Sequence, residues 1–146
     1  NNVDVSAMRI SQRGILHGQL ENGVHLLCIH FGLFEIERRK QVNELINYII
    51  NSVPTQAPLI LAGDFNDWRK TAHRRLKAEC KLIEVHEQIH KRPGLTFPAV
   101  TPLLPMDRIY VRGFSVAGVE VLTSKPWRAL SDHCALTAQL ELAKRK

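Results

Sequence analysis

Apolar residues in this chain form short runs separated by polar stretches that contain Gly or Pro. Short apolar runs bounded by turn residues predict strands. We predict two strands, over 9–20 and 24–31, joined across the turn 21–23, where Gly23 accommodates a positive φ. The second run is apolar almost throughout, which predicts a strand covered on both faces.

One stretch shows helical periodicity instead. Its apolar positions, which recur at the spacing of one helical face, are Val42, Leu45, Ile46 and Ile49. They predict a helix over 35–51. The prolines that follow indicate the end of this helix and the start of a buried strand at 59–62. Asp67 is placed to cap a second helix over 68–80.

The rest of the chain predicts further strands, at 82–85, 107–111, 116–122 and 134–140. In the last of them apolar and polar residues alternate, which is typical of a strand with one buried face. We find no internal repeat, low-complexity tract or linker. Strands dominate, with helices at intervals, so the pattern by itself indicates the α/β class.

Size and charge narrow the possible functions only slightly. A chain of 146 residues is ample for one core, because a domain of this size buries roughly 70% of its unfolded surface. The net charge of +6 and the pI near 9.6 favour polyanionic partners. Basicity alone does not choose between nucleic acid and anionic lipid headgroups.

The three cysteines do not predict a disulfide framework or a zinc ribbon, because their number is odd and their spacing unpaired. Cys28 and Cys134 lie in apolar runs, so we expect both to be buried as small hydrophobic residues. His25 should point away from Cys28 and His30, because side chains alternate along a strand. We expect a reducing compartment, the cytoplasm, and no transmembrane segment, since no apolar stretch is long enough to span a membrane.

Candidate chemistry lies at the ends of the predicted strands. Asp64 and Asn66 end the run at 59–62, Asp107 begins another strand, and Asp132 and His133 precede the last one. A buried strand has no structural need for acids and amides at its end. Three strands that each present an aspartate, one of them with an adjoining histidine, predict a single assembled active site.

These motifs carry a family resemblance. Gly63-Asp64-Phe65-Asn66, Met106-Asp107-Arg108-Ile109 and Ser131-Asp132-His133, together with His30, resemble the endonuclease/exonuclease/phosphatase superfamily in order and separation. That superfamily includes pancreatic deoxyribonuclease, abasic-site endonucleases, inositol polyphosphate 5-phosphatases and neutral sphingomyelinases. The local sequence around Thr96-Phe97-Pro98 is most similar to that of small bacterial members.

The resemblance implies a deoxyribonuclease-like fold of the α/β (α+β) class, a four-layer sandwich of two sheets flanked by helices. The family's catalytic domain is about twice as long as this chain. We therefore expect residues 1–146 to be the C-terminal half of one such domain. The N-terminal half would then be absent and would be a partner of this chain, and its metal-binding Glu and an active-site Asn would be absent with it. On its own the chain should be inactive.

The resemblance also implies roles for the site residues. His133 is the acid/base candidate, and Asp107 would fix its tautomer, as in hydrolytic triads. Asp64 could orient or deprotonate the attacking water, and Asn66 could donate its amide to a phosphoryl oxygen. His30 would donate from the other side of the phosphate. Whether Asp64 or His133 is the general base stays open.

Asp132, Asp64 and Asn66 are the predicted ligands of a divalent metal, Mg²⁺ or Mn²⁺, since hard oxygen ligands suit these ions. The predicted function is a metal-dependent phosphoesterase. Its phosphate-ester substrate could be nucleic acid, a phospholipid or a small ester. The alternative is a non-catalytic module that keeps the fold and acts as a scaffold or binds nucleic acid through its basic charge.

Overall fold

The computed structural model describes residues 1–4 and 13–143, and within them the chain forms eight strands, three helices and a 3₁₀ turn at Trp127–Ala129. The strands are β1 (Asn2–Asp4), β2 (Gly14–Gln19), β3 (His25–His30), β4 (Leu59–Asp64), β5 (Ile83–Glu84), β6 (Asp107–Arg112), β7 (Phe114–Leu122) and β8 (Ala135–Leu142). The helices are α1 (Glu35–Ser52), α2 (Thr71–Cys80) and α3 (Val85–His90). The predicted mixture of helices and two sheets is confirmed.

The first sheet has six strands in the order β1-β2-β3-β4-β6-β5. Its pairs are antiparallel except β3 and β4, which run parallel and are connected through α1. Parallel pairing brings the carboxyl ends of β3 and β4 to the same edge of the sheet. The antiparallel strand β6 begins at that edge, so the polar ends of three strands meet there.

The core lies between this sheet and the helices. The apolar face of α1 packs on the inward side chains of β3 and β4, and all of these residues are nearly inaccessible to solvent: Val42, Leu45, Ile46, Ile49, Leu27, Leu59 and Leu61. The predicted face of the first helix is therefore confirmed. Burial of such side chains is the main favourable contribution to folding, and it fixes α1 and the crossover that sets the β3–β4 register.

Several predicted boundaries differ from those in the structure. The second helix begins at Thr71 rather than at 68, although the Asp67 carboxylate accepts hydrogen bonds from the backbone N–H groups of Thr71 (2.8 Å) and His73 (2.9 Å), as a capping residue would. The strand predicted at 82–85 is shortened to Ile83–Glu84 by the unpredicted helix α3. Of the strand predicted over 9–20, the part before residue 13 lies outside the described residues.

Strand β3 is covered on one face only, which contradicts the prediction that both faces would be buried. His25, Leu27 and Ile29 are buried, whereas Leu26, Cys28 and His30 alternate with them and are exposed. The prediction for Cys28 was therefore wrong, and the prediction for the buried Cys134 is confirmed. His25 does lie on the face opposite Cys28 and His30, as expected.

The second sheet is the hairpin of β7 and β8, which pair along most of their length with an irregularity between Val116 and Gly118. This hairpin packs against α3 and β6. The outer face of β2 and β3 is exposed at Leu16 and Leu26. Among the helices in residues 13–143, none has the length and apolar character required to cross a membrane.

Candidate active site

The candidate site lies where β3, β4 and β6 reach one edge of the large sheet. In the strand registers, His30 pairs with Asp64, and Asp64 pairs with Asp107. Gly63 makes this close approach possible. Its φ is +145°, and a Cβ atom built there would lie 1.9 Å from the carbonyl oxygen of Ile29, so a larger residue cannot occupy the position without moving the backbone.

Asp107 and His133 form a hydrogen-bonded pair at the centre of the site. The imidazole Nδ1 lies 2.6 Å from Oδ2 of Asp107, and both side chains are about a quarter exposed. The ring of Phe97 packs beside the imidazole, with 4.9 Å between the ring centroids. With Nδ1 held by the carboxylate, Nε2 is the nitrogen that could serve a substrate.

Residues 96–99, in the loop between α3 and β6, hold this pair in place. The hydroxyl oxygen of Thr96 accepts the backbone N–H of Asp107 at 3.1 Å, and the carbonyl of Thr96 accepts the N–H of Cys134 at 2.7 Å. Ala99 donates its N–H to the carbonyl of Asp132 at 2.7 Å. Thr96, which is fully buried, was not predicted from the sequence. Its signal was available only as part of the Thr96-Phe97-Pro98 resemblance.

Asn66 fixes the Asp64 carboxylate. Its backbone N–H donates to Oδ1 of Asp64 at 2.8 Å, and its Nδ2 donates to Oδ2 of Asp64 at 3.2 Å and to the carbonyl of Phe31 at 2.9 Å. The residue is buried and has a φ of +46°, a left-handed conformation that Asn tolerates better than most residues. The amide hydrogens are thus directed to protein acceptors, and Oδ1 is the remaining side-chain atom that could serve a ligand.

His30 and Asp132 stand at the two sides of this centre. His30 is exposed, and its Nε2 lies 3.5 Å from Oδ2 of Asp64 on the side away from Asp107. Asp132 is also exposed, and its Oδ1 accepts a hydrogen bond from the hydroxyl of Ser131 at 3.4 Å. The structure thus brings all six predicted site residues to one cleft of about 610 Å³. Its lining is Arg13, His30, Leu33, Asp64, Asn66, Phe97, Met106, Asp107, Ser131, Asp132 and His133.

Two groups in the site have raised pKa values, for different reasons. Burial raises the pKa of Asp64 above its ordinary value, and the negative charge of Asp107 adds to this effect against the opposing hydrogen bond from Asn66. Burial by itself lowers the pKa of His133. The hydrogen bond and charge of Asp107, with the charges of Asp64 and Asp132, outweigh burial and leave the pKa of His133 raised.

Three of these residues offer ligand atoms close enough to share a metal ion. One oxygen each of Asp64 and Asp107 and one nitrogen of His133 all lie within 4.8 Å of one another. Carboxylate oxygens suit Mg²⁺ and Mn²⁺, so the donor set at this edge of the sheet fits such an ion. Asp132 and Asn66, the other predicted ligands, are outside that group but line the same cleft.

The family model of the Endonuclease/Exonuclease/phosphatase family matches residues 6–133 of the chain. This chain belongs to the endonuclease/exonuclease/phosphatase family. Among curated proteins it is 39% identical over 146 residues to the Escherichia coli (strain K12) uncharacterized protein YbhP, and the match covers 97% of this chain and 57% of that protein. The predicted resemblance to small bacterial members is thereby confirmed.

Solved structures share the fold at lower identity. Mannosyl-6-phosphatase Bt3783 of Bacteroides thetaiotaomicron VPI-5482 superposes with a TM-score of 0.75 at 18% identity, covering 97% of this chain and 65% of that one. D. rerio TDP2 complexed with single strand DNA product gives a TM-score of 0.73 at 17% identity, over 97% and 66% of the two chains. These likenesses confirm the deoxyribonuclease-like fold class.

The chain spans 57% of the length of the curated relatives that it matches. The family match itself runs over residues 6–133 and gives no separate support for an absent N-terminal half. The division of the domain therefore stays a prediction.

Proposed function

We propose that this chain carries the phosphoester-hydrolysing centre of a divalent-metal-dependent hydrolase. The observation that supports it best is the hydrogen-bonded pair of Asp107 and His133, with Asp64 beside it at one sheet edge. A hydrolytic site of this kind needs an oriented water, a proton acceptor and positive charge near the phosphoryl oxygens. The three side chains supply these functions within one cleft.

In this proposal Asp64 is the proton acceptor. Asn66 holds both of its oxygens in a fixed orientation, so they can accept a proton from a water molecule in a defined geometry. His133 acts in its charged form, which Asp107 stabilises, and directs the N–H of Nε2 to a phosphoryl oxygen. His30 donates to the phosphate from the far side of Asp64.

The proposed metal is Mg²⁺ or Mn²⁺, held by Asp64 with help from Asp132 and the amide oxygen of Asn66. Bound there, the ion would supply positive charge to the phosphate. Asp107 is excluded from this set in the proposal, because it is committed to His133 at 2.6 Å. We further propose that residues outside this chain add the metal-binding Glu and the Asn of the family, so the chain alone turns over little substrate.

The substrate is proposed at the level of its reacting group, a phosphate ester, with nucleic acid, lipid headgroups and small esters all containing that group. The exposed thiol of Cys28 and the absence of a disulfide within residues 13–143 fit a proposed cytoplasmic location.

The test compares this chain with the longer protein that contains it, using a chromogenic phosphodiester and a Mg²⁺ or Mn²⁺ titration. We expect turnover from the longer protein, its loss in a metal chelator, and little turnover from the chain alone. Asp132→Asn should lower turnover less as metal concentration rises, whereas the loss in His133→Ala should be independent of metal. Salt-sensitive binding of DNA without turnover in any metal would instead support the non-catalytic module.

A further inference from the structure

A group of large apolar side chains is exposed beside the candidate active site. We call it the apolar rim, and its members with their exposed fractions are Leu33 (70%), Phe34 (66%), Ile36 (72%) and Trp68 (50%). Apolar residues scattered singly over a surface need no explanation, but four of them on two chain segments beside the candidate cleft indicate an interaction surface.

Polar contacts join the two chain segments of the rim into one surface. The Glu35 carboxylate pairs with Arg39 at 2.9 Å within the helix and with Arg69 at 3.2 Å across to the segment that carries Trp68. The Arg69 guanidinium in turn lies 5.9 Å from the centre of the Trp68 ring. Leu33 extends the rim into the cleft, which it lines together with His30 and Asn66.

Buried polar side chains of α1 hold the backbone of the segment that presents Leu33 and Phe34. Gln41, which is fully buried, accepts the backbone N–H of Gly32 at 2.8 Å. The buried Arg38 donates to the carbonyls of Gly32 (3.4 Å) and Leu33. Buried polar groups thus hold this backbone with its apolar side chains facing outward. The exposure of the rim is a property of the folded chain and not of a frayed end.

The surroundings of the rim are cationic. Arg39, Lys40, Arg69 and the half-buried Lys70 lie next to it in the chain, and the nearby acid Glu35 is already paired with two of these arginines. The charge favours an anionic partner. Apolar side chains flanked by Lys and Arg, with a Trp among them, form the pattern of surfaces that lie in a membrane interface.

Two members of the rim decide between an anionic membrane and single-stranded nucleic acid. Leu33 and Ile36 are aliphatic, and aliphatic side chains gain little from the faces of bases, which stack on aromatic rings and on Arg. The same side chains gain strongly from entering the acyl boundary of a bilayer. We propose that the apolar rim docks this protein on an anionic phospholipid surface, with the cleft at the level of the headgroup phosphates.

Docking on a lipid surface does not require the site to be active. Its purpose, however, rests on the proposed function, because a phosphoesterase cleft held there would act on phosphate esters of the lipid surface. The test therefore measures binding without turnover. The chain, in a metal chelator, is sedimented with vesicles of phosphatidylcholine alone or with added phosphatidylglycerol. We expect binding that requires phosphatidylglycerol and weakens with salt.

Substitutions test whether vesicle binding depends on the rim itself or only on general hydrophobicity and net charge. Phe34→Ser with Ile36→Ser should weaken vesicle binding about 10-fold or more, because each residue loses its apolar burial. Ile50→Ser is the control, since Ile50 is 60% exposed on the same helix but far from the rim. Arg39→Gln with Lys40→Gln should weaken binding to anionic vesicles several-fold, whereas Lys125→Gln should not. Equal losses in the rim variant and Ile50→Ser would overturn the proposal.

A second readout places the contact at Trp68. The chain has two tryptophans, so the Trp127→Phe background reports on Trp68 alone. We expect the fluorescence emission of Trp68 to shift to the blue with anionic vesicles and to be quenched by brominated lipid. An emission change with a single-stranded oligonucleotide but not with vesicles would overturn the proposal in favour of nucleic acid. Self-association that Phe34→Ser with Ile36→Ser abolishes, without any vesicle binding, would overturn it in favour of a second copy of the chain. Vesicle binding by the chain, together with no turnover by the longer protein in any metal, would overturn the proposed function alone.

Discussion

At the scale of single residues, the candidate chemistry depends on how Asp107 holds His133. A carboxylate 2.6 Å from Nδ1 fixes the tautomer of the imidazole and stabilises its charged form, so the two residues should act as one unit. Thr96 contributes by accepting the backbone N–H of Asp107. His133 thus receives its orientation from residues that are distant from it in the chain.

Asp107→Asn in the longer protein should lower turnover by about 10²–10⁴-fold, because Asn keeps the shape of the side chain but not its charge. His133→Ala should be similarly damaging, and the double variant should be little worse than either single one. Asp107→Asn should also lower the pKa of His133, so the alkaline limb of the pH profile should move to lower pH. Multiplicative losses in the double variant would show that the two residues do not form a catalytic pair.

Gly63→Ala should destabilise the chain by about 2–4 kcal/mol, because a Cβ would meet the Ile29 carbonyl in a backbone conformation that side chains rarely adopt. The measurement is the free energy of unfolding in urea. Gly18→Ala is the matched control, since Gly18 lies on strand β2 of the same sheet with no atom within 4 Å of its Cβ position. Comparable losses from the two substitutions would contradict a steric requirement for Gly63.

At the scale of elements, a buried histidine connects α2, α3 and β6. His73 of α2 lies with Nδ1 3.1 Å from the hydroxyl of Tyr110 and with Nε2 3.2 Å from the carboxylate of Glu87. Burial, together with the charge of Arg108, lowers the pKa of His73 to about 4. The folded protein therefore holds this imidazole neutral at a pH where the unfolded chain would charge it.

Because the unfolded state binds this proton more tightly, the free energy of unfolding should fall as the pH drops from 6.5 towards 4. The shift corresponds to about 3 kcal/mol. His73→Gln removes the titrating group, so the variant should lose about that much less stability over the same range. The check is urea unfolding of both proteins at several pH values between 7 and 4. Parallel pH dependence of the two proteins would rule out His73 as the source.

The elements show which features of the fold the sequence could predict. The helix α1 was predicted within one residue because its apolar spacing repeats over several turns. Helix α3 was missed because Val85–His90 is too short for such a repeat and follows an apolar, strand-like run. Its signal is Glu84, whose carboxylate accepts the backbone N–H groups of His86 (3.2 Å) and Glu87 (2.7 Å) as a cap.

The site was predictable to a similar degree. Asp64, Asp107 and His133 could be identified from the sequence, because they are polar residues at the ends of apolar runs, where packing gives no reason for them. The pairing of Asp107 with His133 followed only from the family resemblance, because the two residues are 26 positions apart and no local pattern sets their distance. The donor role predicted for the Asn66 amide could not be weighed from sequence, since its acceptor Phe31 lies 35 residues away.

At the scale of the whole molecule, one face of the large sheet is incompletely covered. Leu16 of β2 and Leu26 of β3 are exposed on that face, beside Cys28, which pairs with Leu16 in the strand register. The hairpin of β7 and β8 packs against β6, towards the opposite edge of the sheet. An apolar face of this kind favours association.

The isolated chain should therefore self-associate, and Leu16→Glu with Leu26→Glu should shift it towards monomer, because two charges would have to be buried at the contact. Ile50→Glu, on the outer side of α1, is the control and should change the association little. Sedimentation velocity over a dilution series measures the effect. A chain that sediments as a monomer at every concentration, with no binding of a hydrophobic dye, would contradict this expectation.

His133 precedes β8, whereas the main hydrophobic cluster is built from residues between Ile15 and Tyr110. The hairpin next to His133, one member of the proposed catalytic pair, contributes no side chain to that cluster, so it can open as a cooperative unit of its own while the cluster stays folded. Heating should then abolish turnover in the longer protein before the helical signal declines, and amide protons of β7 and β8 should exchange faster than those of β3 and β4. Inactivation would begin at a margin of the structure and not at its centre.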